Sequence, residues 1–151
     1  MANEKGIHVA VVGATGAVGQ QLLNTLEERS FPISTLTLLS SARSAGKKIE
    51  FKGVEYTVQE AKPESFEGVQ VAFFSAGGSV SVALAKEAAK RGAVVVDNTS
   101  AFRMTEGVPL VVPEVNEKAL LDHKGIIANP NCSTTQMVVA LEPNHIFDEL
   151  A

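Results

Sequence analysis

The sequence has little sulfur and few aromatics: one cysteine, no tryptophan and one tyrosine in 151 residues. A single thiol cannot close an internal disulfide, so cysteine usage gives no sign of an oxidising compartment. Basic residues are also in the minority, 13 against 17 acidic, and a net charge of −4 offers no basic face to a nucleic-acid backbone. No apolar run approaches the roughly 20 residues that a bilayer span needs. Residues 1–6 are polar and charged, unlike a secretory leader. The three histidines, His8, His123 and His145, share no ligand spacing with one another or with the cysteine, so no metal site is read. What remains is a cytosolic protein with neither a membrane nor a nucleic-acid partner, long enough for one domain with a real core.

What is present alternates between short apolar runs and helix-like segments. Residues 8–12, 35–40, 69–75, 93–97 and 126–128 read as strands, and 110–112 as a shorter one. Residues 17–29 read as a helix with Val18, Leu22, Leu23 and Leu26 on one stripe. Residues 79–91 read as a second, with Val82, Ala85, Ala88 and Ala89 inward and Gly92 as a left-handed stop. A short helix is expected over 117–123, closed by Gly125, and another over 133–141, cut off by Pro143. Residues 48–51 and 55–58 flank Gly53 and pair as a hairpin. This alternation predicts an α/β fold, Rossmann-like, with a mostly parallel sheet and helices on both faces. Residues 144–151 read either as a brief helix with Ile146, Phe147 and Leu150 on one side or as a frayed tail.

The first strand runs into Gly13-Ala14-Thr15-Gly16-Ala17-Val18-Gly19 and then a helix. Glycines there permit a tight turn and close backbone approach to a phosphate, and the helix start offers free N–H groups and a positive dipole end. The spacing departs from G-x-G-x-x-G, and a structural turn is the alternative; position after strand one favours a dinucleotide. Strand two ends in Ser40-Ser41-Ala42-Arg43-Ser44-Ala45-Gly46, without the carboxylate that would hold an NAD ribose. Hydroxyls and a guanidinium suit a 2′-phosphate, so NADP is the expected cofactor, a solvated loop being the alternative. Ser75-Ala76-Gly77-Gly78-Ser79 also follows a strand and opens a helix, either as a second cofactor loop or as a bare turn.

Cys132 stands in Asn129-Pro130-Asn131-Cys132-Ser133-Thr134-Thr135, at a helix start. Unpaired N–H groups and the dipole there favour a thiolate, and a thiolate attacks an acyl carbon. The bland alternative is a small buried hydrophobe. A thiol nucleophile beside a nicotinamide suggests acyl transfer to sulfur followed by hydride transfer. Arg103, closing Asp97-Asn98-Thr99-Ser100-Ala101-Phe102-Arg103, offers a clamp for a phosphate or carboxylate.

Together, VAVVGATGAVGQQLL, LLSSARSAGK, FFSAGGSVS, VVDNTSAFRM, PLVVPEVN and GIIANPNCSTTQMVVALEP resemble aspartate-β-semialdehyde dehydrogenases, in that family's order and over nearly the whole chain to Pro143. The resemblance implies NADPH-dependent reduction of L-aspartyl-4-phosphate to the semialdehyde through a cysteine thioester, on the way to lysine, methionine and threonine, in a homo-oligomeric parent enzyme. It makes Cys132 the nucleophile, and Arg103 the ligand of the substrate phosphate. Asn131 becomes a substrate-positioning residue. Thr15, Gly16, Ala17, Val18, Arg43 and Ser44 become NADP contacts, with Gly13, Ser41, Ser75, Gly77 and Gly78 nearby. The family's second domain, which carries a substrate glutamine, an arginine and an acid/base histidine, has no counterpart in these residues. Residues 1–143 are therefore expected to be the NADP-binding domain and 144–151 a tail, in a chain that binds NADP and turns over poorly. Two other readings stand beside this one: an N-acetyl-glutamyl-phosphate reductase, whose NPGCYPT-like cysteine motif differs at Asn131 and Ser133, and a non-catalytic NADP-binding fragment.

Overall fold

The computed structural model describes residues 6–149, and side chains as far as residue 143. Strand β1 (Ile7–Val12) leads into helix α1 (Ala17–Glu28) and β2 (Ile33–Ser40). An antiparallel hairpin follows, β3 (Lys48–Phe51) and β4 (Val54–Thr57), and then the two-residue β5 (Gln59–Glu60). Strand β6 (Val71–Phe74), helix α2 (Gly78–Lys90) and β7 (Val94–Asp97) come next. The described chain closes with α3 (Pro113–Asn116), β8 (Ile126–Ala128) and α4 (Cys132–Glu149). Six strands form one sheet in the order β5-β2-β1-β6-β7-β8, and every pairing in it is parallel. This is the Rossmann-like α/β fold read from the alternation of strands and helices.

The two faces of the sheet differ. Central strand β1 is covered on both, and Val9 to Val12 have no exposed surface. On one face, Leu23 and Leu26 of α1 and Phe51 and Val58 of the hairpin region pack on Val9, Val11 and Leu38. On the other, Ala85 and Ala88 of α2 pack with Ala72, Phe74 and Val95, and Phe66 stacks on Phe74 with ring centroids 5.7 Å apart. Strands β6 and β7 alternate: their α2-facing residues are buried, whereas Val71, Phe73, Val94 and Val96 are half-buried. The hairpin turns through Lys52 and Gly53, both at positive φ, as a two-residue connection between twisted strands requires.

Three expectations are corrected. Val18 and Val82 point to solvent, 53% and 63% exposed, because another residue takes the inward place in the first turn of each helix, while Leu23, Leu26, Ala85 and Ala88 are buried as expected. In α1 the close approach of Gly19 to the Gly13 carbonyl centres the contact there. In α2, Ser81 turns inward to donate to Asp97 Oδ1 at 2.9 Å. Residues 110–112 make a single bridge, Leu110 to Ala128, before Pro113 starts α3, so no strand forms. Residues 117–122 form the expected short helix, wound as a 3₁₀ helix. Finally, α4 does not stop at Pro143 but continues to Glu149. The ring removes one ladder bond and frees the Val139 carbonyl, and Val139 is exposed, so water can take it. The side chains of Ile146, Phe147 and Leu150 lie outside the described ones.

Candidate functional site

The strand order reverses at β1, with β2 and β5 on one side and β6 to β8 on the other. In an open parallel sheet the crevice forms at such a point, at the carboxyl ends of the strands. The two loops flanking it are pressed together: a Cβ at Gly13 would stand 2.9 Å from Ala76 N, and Gly13 has φ +92°. Only glycine fits there. The loop is further tied by Gly13 N–H to Leu39 O at 2.8 Å and by a Thr15–Ser40 hydroxyl pair at 2.9 Å.

A cleft of about 620 Å³ opens beside this loop. Gly13, Thr15, Gly16, Ser41, Arg43, Ser44 and Ser75 line it, seven of the residues singled out from sequence. Gly77 and Gly78 do not; Gly77, at φ +97°, instead precedes the first turn of α2. Nor do Ala17 and Val18, which start α1; its ladder begins with Gln20 N–H donating to Gly16 O, so their own N–H groups have no intrahelical partner. Val18 faces instead a second, apolar groove of about 430 Å³ that runs between α1 and β6–β7. Arg43 makes no hydrogen bond or ion pair among the described residues, and Ser44 beside it is buried. This donor set, free N–H groups at a helix start followed by hydroxyls and an unpaired guanidinium, fits a phosphorylated dinucleotide.

The same edge of the sheet carries the thiol. Asn131 precedes α4 and caps it, its Oδ1 accepting Ser133 N–H at 3.0 Å and Ser133 Oγ–H at 2.6 Å. Cys132 is the first helical residue and is exposed, so the buried-hydrophobe alternative does not hold. Arg103 is fixed by two backbone carbonyls: its Nε donates to Asn129 O at 2.9 Å and an Nη to Asn98 O at 3.2 Å. Asn129 also receives and gives: its N–H donates to Asp97 O at 2.8 Å, and its Nδ2 to Asn98 Oδ1 at 2.6 Å. The arginine loop after β7 and the cysteine loop after β8 are thereby joined. Beneath them Asp97 is fully buried, and its carboxylate accepts from Ser81 Oγ, Thr99 N–H and Thr99 Oγ1.

Four contributors escaped the sequence. Asn98 and Asn129 were seen only as motif members, although their pairing joins the two loops. Asp97 had a signal, an acid closing an apolar strand, but its partner Ser81 lies 16 residues away. Glu60 had none, since a strand of two residues has no periodicity; it nonetheless lines the cleft. Its carboxylate meets Lys62 Nζ at 2.7 Å, and that hydrogen bond, reinforced by the charge, raises the lysine pKa above its ordinary value.

Residues 8–123 match the family described as semialdehyde dehydrogenase, NAD binding domain. A curated aspartate-semialdehyde dehydrogenase from Bacillus subtilis (strain 168) is 76% identical over 139 residues, which make up 92% of this chain and 40% of that protein. One from Aquifex aeolicus is 58% identical over 147 residues, 95% of this chain and 43% of that protein. A crystal structure of aspartate semialdehyde dehydrogenase II from Vibrio cholerae complexed with ASA superimposes with a TM-score of 0.90 at 50% identity, covering 95% of this chain and 47% of that one. The aspartate semialdehyde dehydrogenase with NADP from Candida albicans gives 0.78 at 30% identity, covering 92% and 46%. The chain thus spans less than half the length of each of these relatives. Among the described residues, no helix is long and apolar enough to cross a membrane.

Proposed function

From the premise that the chain belongs to the semialdehyde dehydrogenase family, by its NAD-binding domain, we propose that it is the cofactor-binding and nucleophile-bearing part of an NADPH-dependent aspartate-semialdehyde dehydrogenase. The whole enzyme reduces L-aspartyl-4-phosphate to the semialdehyde, in the cytosol and as a homo-oligomer, in the synthesis of lysine, methionine and threonine. Residues 1–143 are its NADP-binding domain, and the acid/base group comes from elsewhere in the longer protein. The observation that carries this reading is the common edge. The Gly13 loop and Cys132 follow β1 and β8 at the carboxyl side of one sheet, three strand spacings or about 14 Å apart across the sheet.

In this reading Gly13, Thr15, Gly16, Ala17 and Val18 hold the pyrophosphate, with Ser75, Gly77 and Gly78 alongside, and Ser41, Arg43 and Ser44 take the 2′-phosphate. The Cys132 thiolate attacks the acyl carbon, a C–S bond forms as the C–O bond to phosphate breaks, and inorganic phosphate leaves. Arg103, its Nε and one Nη already engaged, offers its remaining N–H groups to that phosphate. Asn131 positions the substrate through its free Nδ2 while Oδ1 holds the helix start. The nicotinamide, when bound, supplies the hydride that reduces the thioester carbon. The N–H groups at the start of α4 steady the oxygen of the resulting thiohemiacetal until it collapses and returns the thiolate.

Two measurements test this. Titration of the chain with NADPH, followed by nicotinamide fluorescence, is expected to saturate and to be competed by NADP. Incubation with L-aspartyl-4-phosphate is expected to add one aspartyl group to Cys132 by intact mass, with release of phosphate, and Cys132→Ser abolishes the thioester. Absence of NADPH binding would overturn the cofactor reading; an unmodified Cys132 would overturn the nucleophile.

A further inference from the structure

The cofactor cleft has an end that the reading above does not use. Going outward from β1, the pyrophosphate loop follows β1 and the 2′-phosphate residues follow β2. The next strand is β5, the last on that side of the sheet. Glu60 on β5 pairs with Ser40 on β2, and Ala61 N–H donates to Ser40 O at 2.8 Å, so both reach the cleft beside Arg43. Facing them, Val80, Ala83 and Leu84 of α2 form an apolar wall. A ribose held by its phosphates at Gly13 and Arg43 directs its base to this end, where these apolar side chains can cover a purine ring. We propose that Glu60 is a specificity-determining residue that reads the base of the dinucleotide, accepting a hydrogen bond from the 6-amino group of adenine. The inference rests on the proposed NADP site.

Chemistry selects the partner. A carboxylate is an acceptor only, and the exocyclic amino group is the one N–H donor on an N9-linked adenine. The neighbouring 2′-phosphate is an anion and would be repelled, so Glu60 is not its ligand. Lys62 answers that repulsion. It holds Oε2 at 2.7 Å and offsets the charge, while Oε1 has no partner among the described residues. The Ser65 hydroxyl, donating to the Glu60 carbonyl at 3.2 Å, fixes the backbone from which the side chain projects.

The test compares NADPH with its analogue bearing unsubstituted purine, in which hydrogen replaces the 6-amino group and no N–H donor is left on the base, in fluorescence titrations of the wild-type chain and of Glu60→Gln. The side chain of Glu60 is 41% exposed and the substitution is isosteric, so folding is not at stake. Wild type is expected to bind NADPH about tenfold more tightly, the worth of a hydrogen bond to a charged acceptor. In Glu60→Gln a neutral amide can accept weakly from the amino group of adenine or donate to N1 of the purine, so the preference should shrink to about twofold or less. Changes in general charge affect both ligands alike and cancel in the ratio. Equal binding of the two by wild type, or an unchanged ratio in Glu60→Gln, overturns the role of Glu60 and leaves the NADP site standing. Failure of any form to bind NADPH removes the site and the inference together.

Discussion

Gly19→Ala separates packing from ligand binding in the glycine loop. A Cβ at Gly19 would stand 2.2 Å from Gly13 O and 2.9 Å from Ala14 Cα. Ordinary C···O contact is about 3.3 Å, so α1 or the loop must yield by about 1 Å. The loop resists, because Gly13 N–H and Ala14 N–H both donate to Leu39 O. Overpacking against backbone belongs at the upper end of its usual range, about 3 kcal/mol. The helix propensity of alanine returns about 1 kcal/mol, leaving a net loss of about 2 kcal/mol. For a chain of this length that lowers Tm by about 6 °C. Gly16→Ala is the control: its nearest neighbour would be Gly13 O at 3.4 Å, and its φ is −84°. Its poorer capping and its stiffer unfolded chain nearly cancel, so Tm should hold while the methyl group, at the exposed mouth of the cleft, weakens NADPH binding. Thermal denaturation followed by circular dichroism reads the first effect and NADPH titration the second. A Gly19→Ala protein that melts with the wild type, or a Gly16→Ala protein that falls as far, would refute the packing argument.

Arg43→Glu should weaken NADPH about 100-fold, through loss of a charge-assisted pair and gain of a like charge, while NADH changes far less; equal losses would refute the 2′-phosphate role. Asp97→Ala should cost about 3 kcal/mol in urea denaturation, since it leaves the Ser81 and Thr99 donors without their acceptor, and a variant as stable as wild type would show that the buried cluster contributes nothing. Phe66→Ala removes a fully buried ring stacked on Phe74 and should cost about 4 kcal/mol by the same measurement. The pKa of Glu87 is lowered, first by its hydrogen bonds to Lys90 and Arg91 and then by their charges. A lowered carboxylate stabilises the fold above its unfolded pKa and loses that contribution as pH falls through the folded one. Glu87→Gln should therefore melt slightly below wild type at neutral pH, with the two curves converging as the pH drops through the carboxylate range.

Much of the fold was legible because strand continuity and helix periodicity are local signals. The Gly13 and Ser75 loops, the hairpin at Gly53 and the stop at Gly92 all stand where their residues placed them. Which residue faces inward in the first turn of each helix was not legible. An apolar stripe says which residues can be buried, but Gly19 and Ser81 decide which are, one through a steric limit and the other through a partner 16 residues on. Pro143 misled because a proline weakens a helix without ending it when the freed carbonyl reaches water. In the site, the placement of Arg43 on the cleft and of Cys132 at a helix start was legible from their neighbours in the sequence. Glu60 was hidden because the search for a carboxylate stopped at the end of β2, whereas the sheet brings one in from the adjacent strand.

Asn129 deserves a kinetic reading. Three bonds meet on it, one to the Asp97 carbonyl, one to the Asn98 side chain and one from Arg103. Neither loop can swing outward without breaking all three, so the two open as a single cooperative unit. Native-state hydrogen exchange at the amides of Asn98 and Asn129 would then share one opening rate, and any fluctuation that displaces the guanidinium carries the sulfur-bearing turn along with it.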